Sequence, residues 1–162
     1  MIAGRQDERL RSMQASNGRR SEGRLIMNEF PFSEDEWEAV NVASSAIVNA
    51  TLAEDAVLRD CQFTELQLIL KALTEKHGDH PVLIETEADF TGDAVDRLRL
   101  YGLAVSLAET NCLPTYTIRI SLAGLLLEEF GELESAREAL LACEQEVTAC
   151  ADDYDKKTWE IC

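Results

Sequence analysis

The chain has little of what most catalytic and metal sites need. Its 162 residues include two histidines, three prolines and five cysteines, and no two cysteines form a C-x-x-C pair. Phosphate-binding glycine loops, a G-x-S-x-G elbow and an H-E-x-x-H motif are missing. No apolar run reaches the roughly eighteen residues of a membrane span. These absences predict a soluble protein without a cofactor, and the odd cysteine count without a secretory signal favours the cytoplasm.

Positive charge is also scarce. Fifteen lysine and arginine residues stand against 31 aspartate and glutamate residues, and the formal net charge is −16. Nucleic acids and anionic membranes are polyanions, so this balance argues against both as partners. The charge is uneven: residues 1–26 hold six arginines against three acidic residues, a balance of +3, which leaves −19 in residues 27–162. An acidic body of this kind attracts basic partners.

Residues 1–26 differ from the rest of the chain in composition. They contain few large apolar side chains and no helical stripe of useful length. Such a segment cannot bury enough apolar surface to offset the entropy of ordering, so we predict a disordered basic extension. Met27 is an alternative native start, with the preceding residues a translated leader or a misassigned extension. The folded domain is predicted to comprise residues 27–162.

Apolar residues in this domain recur at spacings of three and four, which predicts helices. Ser33 and Glu36 form a capping box at the start of the first helix, and Pro81 suits the first turn of a later one. Residues 81–90 fit either a short helix or a short strand, and we predict a helix because no second strand is available to pair with them. The fold is therefore predicted to be all-α, with about three antiparallel helical hairpins.

The most specific pattern lies between Ile118 and Cys150. Its first apolar stripe contains Ile118, Leu122, Leu125, Leu126 and Phe130. Gly131 then ends the helix, because glycine readily adopts the left-handed conformation that closes one. The second apolar stripe contains Leu133, Ala136, Leu140, Cys143 and Val147. The small residues Gly124 and Ala136 would let the two helices approach closely, so the pattern predicts a tight helical hairpin.

Large and small residues follow one another along this hairpin as in the tetratricopeptide repeat (TPR), a helix–turn–helix unit of about 34 residues. The matching positions are Ile120, Gly124, Leu127, Gly131, Ala136, Leu140 and Cys143. Two positions depart from the family pattern, since Ala123 stands where a leucine is usual and Thr148 where the closing proline is usual. The chain thus resembles the TPR family, which implies a short α–α superhelix.

In that family the first helices of the repeats line a groove that holds an extended segment or a helix of a partner protein. The groove-facing candidates that the resemblance implies are Ile118, Ser121, Leu125, Glu128 and Glu129. A groove both apolar and acidic would suit a basic or amphipathic segment. The predicted function is a non-enzymatic protein-interaction module, an adaptor or chaperone-like protein. A homo-oligomer formed by apolar helix faces is an alternative assembly.

One alternative function places a metal or active site between His77 and Asp89. His77 and His80 are the only histidines, and several carboxylates follow them closely. Imidazole and carboxylate groups are typical zinc ligands. However, an H-x-x-H pair supplies only two ligands, and Pro81 favours a simple turn here, so no metal site is assigned. For the alternative, a helical metal-binding protein or enzyme, the first ligand candidates are His77, His80 and Glu85.

Overall fold

The structure, a computed structural model, describes residues 30–151 and 153–161. The extension predicted for residues 1–26 lies outside the described residues. Within the described ranges the chain forms eight α-helices and no strand, which confirms the all-α prediction. The helices are α1 (Glu34–Leu52), α2 (Ala56–His77), α3 (Pro81–Phe90), α4 (Ala94–Thr110), α5 (Tyr116–Leu125), α6 (Leu133–Ala142), α7 (Glu144–Cys150) and α8 (Asp153–Ile161). A π-helical segment, Leu126–Phe130, continues α5.

The described residues divide into two compact units after Gly78. Unit 1, residues 30–78, consists of α1 and α2 packed against each other. Unit 2, residues 79–161, contains α3 to α8, and its packing follows chain order: α3 contacts α4, α4 contacts α5, and α5 contacts α6. Sequential packing of this kind is typical of stacked hairpins. A single domain over residues 27–162 and a superhelical stack remain predictions.

Unit 1 begins with the predicted capping box. Ser33 Oγ accepts a hydrogen bond from the backbone N–H of Glu36 at 3.3 Å, and Glu36 Oε2 accepts one from the N–H of Ser33 at 2.8 Å. The other oxygen of the same carboxylate lies 2.7 Å from Lys76 Nζ and 3.0 Å from His77 Nε2. Lys76 and then His77 hold the pKa of Glu36 far below its ordinary value. Glu36 therefore joins the start of α1 to the end of α2.

Three aromatic rings lie at this end of unit 1. Phe32 stacks on Trp37 with ring centroids 5.9 Å apart, and Phe30 meets each of these rings edge-on at 5.0 Å. The ring of His77 meets Phe32 edge-on at 5.3 Å. Phe32 and Trp37 are buried. His77 therefore belongs to both the aromatic cluster and the Glu36 contact. The aromatic residues of unit 1 thus lie next to the polar contacts that join α1 to α2.

Unit 2 is built on two apolar clusters. The first joins α3, α4 and α5, and its buried members are Ala88, Leu100, Tyr101, Ala104, Val105, Ala108, Ile118 and Leu125. The second joins α5, α6 and α7, and its buried members are Ile120, Ala123, Leu126, Ala136, Ala139, Leu140, Cys143, Val147 and Ala151. Leu98 and Leu122 contact both clusters. From α8, Trp159 packs on the second cluster and donates its Nε1 proton to the carbonyl oxygen of Leu140 at 3.0 Å. The core of unit 2 is thus continuous, with α5 at its centre.

The structure corrects three details of the predicted hairpin. The first helix becomes π-helical over Leu126–Phe130, and the second is interrupted at Cys143, between α6 and α7. Leu133, predicted on the buried stripe, is 62% exposed. The reason is that Ala136, Ala139 and the residues that follow them set the buried face of α6, and Leu133 lies at its edge. The turn itself is confirmed, since Gly131 has a φ of +67° in the left-handed region.

Replacing two glycines by alanine should change stability in opposite directions. At Gly131 the left-handed φ of +67° costs an alanine about 1–2 kcal/mol. Gly102 is exposed inside α4, where alanine gains roughly 0.5–1 kcal/mol over glycine. An added Cβ meets nothing within 4 Å at either position, so packing does not enter the comparison. Urea unfolding followed by circular dichroism should show a lower midpoint for Gly131→Ala and a higher one for Gly102→Ala; shifts of the same sign would contradict the assignment of the turn.

The Glu36 contacts predict a loss of stability in acid. Because the folded-state pKa of Glu36 lies far below its ordinary value of 4.5, the unfolded chain binds the proton first as the pH falls. The stabilisation is fully present above about pH 4.5 and is lost progressively below it. Glu36→Gln should therefore flatten the fall of the urea midpoint between about pH 6 and about pH 3. Glu38→Gln, an exposed change on the same helix, should keep the slope of the parent, and equal slopes for both variants would refute the contribution.

Candidate functional site

The five residues predicted to face a groove lie on α5 and the π-helical segment, and they fall into two sets. Ile118 and Leu125 are each 2% exposed and pack in the cluster with α4. Ser121 is half-buried, and Glu128 and Glu129 are exposed. The apolar pair is thus covered because α4 packs on its face of α5. The exposed part of this set is therefore polar and acidic, whereas the sequence pattern predicted a groove both apolar and acidic.

An ion pair joins Arg97 of α4 to Glu129 in the π-helical segment that continues α5. Its Nη1 lies 3.7 Å from Glu129 Oε1, with side-chain exposures of 15% for Arg97 and 48% for Glu129. At this distance the contact is an ion pair without a hydrogen bond. Arg97 Nε is buried and has no hydrogen-bond partner among the described residues. Arg97 therefore balances one carboxylate of the surface, while Glu128 has no ion pair within the described part of the chain.

The turn after the π-helical segment sets the position of the next helix. Gly131 closes the segment, and the N–H of Glu132 donates to the carbonyl oxygen of Leu126 at 3.0 Å. After this turn α6 starts at Leu133. Between residues 128 and 146 the chain carries seven glutamates and one arginine. Four of these glutamates, Glu128, Glu129, Glu132 and Glu134, lie within three residues of Gly131, so negative charge is grouped at the turn end of the α5–α6 hairpin.

Glu146 of α7 fixes the opposite end of α5. Its Oε2 accepts hydrogen bonds from the backbone N–H groups of Thr115 at 2.6 Å and Tyr116 at 2.9 Å. The side chain of Thr115 does not cap α5, so Glu146 supplies the acceptor that the first N–H groups of a helix need. Arg119 extends the network, with Nε 3.1 Å from Thr115 Oγ1 and Nη2 2.6 Å from Glu109 Oε1. These contacts tie α4, α5 and α7 together.

The residues of the metal alternative take separate structural roles. His77 belongs to unit 1, whereas His80 and Glu85 belong to unit 2. His80 caps α3 through Nδ1, and burial lowers the pKa of its imidazole. Glu85 is 5% exposed and accepts a hydrogen bond from Thr117 Oγ1 at 3.4 Å. No group of three or more His, Cys, Asp or Glu side chains able to hold a metal occurs among the described residues.

The cysteines differ in their surroundings. Cys143 is fully buried and donates a hydrogen bond from Sγ to the carbonyl oxygen of Leu140 at 3.2 Å. Burial raises the pKa of the Cys143 thiol to about 11, so it is protonated at neutral pH and is not a nucleophile there. Cys61, Cys112 and Cys150 are exposed. All four are free thiols.

Comparisons with known proteins do not assign the chain to a family. Neither a protein-family model, nor a curated protein, nor a solved structure matches the chain. The resemblance to TPR proteins rests on the residue pattern of the hairpin alone. Among the described helices, none has both the length and the apolar character needed to cross a bilayer.

Sequence reasoning missed the residues that hold the acidic surface in place. Glu146 and Thr115 are separated by 31 positions, and Arg97 and Glu129 by a similar distance along the chain. Helical periodicity reports only neighbours within one or two turns. Thr115 gave no signal of this cap, because threonine is a preferred N-cap residue and its own side chain would be expected to cap α5.

Removing the Glu146 carboxylate should destabilise unit 2. Glu146→Ala leaves the N–H groups of Thr115 and Tyr116 without their acceptor, which costs about 1–3 kcal/mol for partly buried groups. Glu146→Gln keeps an uncharged acceptor and should lose less. Glu144→Ala removes an exposed carboxylate from the same helix and should change stability by no more than about 0.5 kcal/mol. Urea unfolding measures all three, and an equal loss in the two alanine variants would show that the cap is not stabilising.

Proposed function

We propose that the chain is a non-enzymatic protein-interaction module, an adaptor or chaperone-like protein, that binds a positively charged segment of a partner protein. The observation that carries this proposal is the acidic surface at the end of the α5–α6 hairpin. Glu128 and Glu129 are exposed there, while Ile118 and Leu125 of the same helical region are buried in the core. The fold thus separates apolar from acidic residues and directs the acidic ones outward.

The local excess of glutamates supports electrostatic recognition. Of the seven between residues 128 and 146, Glu146 caps α5 and Glu129 faces Arg97. Those that are exposed are Glu128, Glu129, Glu132, Glu134, Glu138 and Glu144. A surface with one sign of charge raises the local concentration of cations and steers a basic partner into contact. It also disfavours nucleic acid and anionic lipid surfaces, in line with the partner classes that the net charge argues against.

The groups with displaced pKa values do not single out a catalytic site. The low pKa of Glu36 arises from its contacts with Lys76 and His77, the low pKa of His80 from burial at the start of α3, and the high pKa of Cys143 from burial in the core. Each group already has a structural contact that explains its position. The proposal therefore assigns no substrate and no cofactor.

The resemblance to TPR proteins completes the proposal. The hairpin of α5 and α6, with its left-handed glycine turn, is the part of the chain that follows the family pattern. In the proposed superhelix, Ser121, Glu128 and Glu129 contribute the acidic side of a groove, and the buried Ile118 and Leu125 support that side from within. The proposal places the protein in the cytoplasm, as the cysteine pattern predicts.

Charge reversal at the acidic surface should abolish partner capture. The full chain, the double variant Glu128→Lys with Glu129→Lys, and the neutral double variant with glutamine at the same positions would be immobilised and exposed to a lysate of the source cells at low and high salt. A specific partner should be retained by the parent, weakened by salt and by the neutral variant, and lost with the lysine variant. The loss follows because reversal replaces attraction by repulsion at the contact.

A control variant tests whether position matters beyond total charge. Glu65→Lys with Glu75→Lys makes the same change in net charge on the exposed side of α2 in unit 1, and it should retain the partner as the parent does. Circular dichroism would confirm that every variant remains helical. Retention of the same proteins by the Glu128 and Glu129 lysine variant would contradict the proposed function.

A further inference from the structure

We infer that the outer face of α6 is the docking surface for a basic, amphipathic helix of the partner. This inference rests on the proposed function and specifies both the surface and the chemistry of the partner. The surface, called the α6 face below, consists of Leu133, Arg137 and Leu141 with Glu134 and Glu138 beside them. The sequence-based groove candidates do not include any of these residues.

The α6 face exposes large apolar side chains. Leu133 is 62% exposed and Leu141 is 52% exposed. Eight residues separate them, which places them about 12 Å apart along the helix and within roughly 80° of each other around it. Phe130, just before the Gly131 turn, is 37% exposed. The face of α6 that contains Ala136, Ala139 and Leu140 is buried in the core of unit 2, and the strip of Leu133 and Leu141 lies beside it, roughly 110° around the helix. The helix is therefore apolar on its inner side and carries a second apolar strip facing solvent.

Charged residues accompany this strip in a defined order. Arg137 lies between the two leucines on the helix, and Glu134 and Glu138 follow along one flank, about 100° and 140° around the helix from Leu133. All three charged residues are exposed. A complementary helix would present two large apolar residues two turns apart, a carboxylate between them opposite Arg137, and lysine or arginine residues toward Glu134 and Glu138. Helix-in-groove recognition commonly uses anchors with such spacing.

The negative charge around the α6 face favours a basic partner helix over a second copy of the chain. Another α6 face would bring its own glutamates and the surrounding acidic stretch of residues 128–146 to the contact. Like charges at close range oppose association. A basic helix instead pairs with the flanking carboxylates while its apolar side covers Leu133 and Leu141.

Charge also distinguishes the α6 face from a similar strip on α4. Val95 and Leu103 have the same spacing of eight residues, and they are 65% and 48% exposed. Beside them, however, Asp96 Oδ1 lies 3.7 Å from Arg99 Nε, so the acidic residue there is paired. The α4 strip therefore offers apolar area without an excess of negative charge, and it provides a matched control.

The test uses a synthetic helical peptide with leucines at the two-turn spacing, lysines on one flank and one glutamate between the leucines. A scrambled peptide of identical composition, in which the leucines do not share a face, is the control. Fluorescence anisotropy with the full chain should show tighter binding of the patterned peptide by about tenfold or more. Leu133→Ser with Leu141→Ser should reduce this binding by about tenfold, without changing any charge. Val95→Ser with Leu103→Ser should bind as the parent does.

The outcomes separate the docking surface from the proposed function. Equal binding of the patterned peptide by the α6 and α4 serine variants would overturn the inference that the α6 face is a docking surface. The proposed function would still stand if charge reversal at Glu128 and Glu129 abolished partner capture. Failure of both experiments would reject both proposals. Sedimentation velocity without peptide gives a further check: self-association that the α6 serine variant abolishes would assign the face to a second copy and overturn the inference.

Discussion

The structure of unit 2 depends on how α5 is held at both ends. At its start the Glu146 carboxylate accepts two backbone hydrogen bonds from residues 115 and 116, and at its end Arg97 pairs with Glu129 before Gly131 turns the chain. One face of the helix packs on α4 and the other on α6 and α7. Because both apolar faces are covered, the exposed residues of α5 and its π-helical end are Glu128, Glu129 and Phe130.

Both units use the same device to close their helices. Glu36 caps α1 and reaches Lys76 and His77 at the end of α2, while Glu146 caps α5 from α7. Glu36 accepts from one N–H group, that of Ser33 at the start of its own helix, and Glu146 accepts from two N–H groups at the start of another helix. Each carboxylate thus satisfies N–H groups that a helix cannot pair internally and also joins two helices. A cap made across helices couples local helix stability to tertiary packing. Part of the large acidic content of the chain is thus structural, and the candidate surface consists of exposed glutamates that cap no helix, including Glu129, which pairs with Arg97.

The sequence predicted those features that depend on a few neighbouring residues. The capping box of Ser33 and Glu36, the helix that begins at Pro81 and the left-handed turn at Gly131 all appear as expected. Whether Ile118 and Leu125 face a groove or the core could not be predicted. The reason is that α5 is apolar on two sides, and periodicity does not identify which neighbouring helix covers each side. The cap from Glu146 was equally inaccessible, since it joins residues 31 positions apart.

Helix propensity alone does not explain the exposed leucines of α6. Leucine is a good helix former, but alanine, arginine and lysine perform as well or nearly as well without placing apolar area in water. Leu133, moreover, is the first residue of α6, where its side chain adds little to helix formation. Both leucines carry a net cost to solubility, and the glutamates beside them offset it in the unbound chain. In the proposed complex the same glutamates become attractive contacts for a basic helix that covers the leucines, so one set of residues would serve the free and the bound protein.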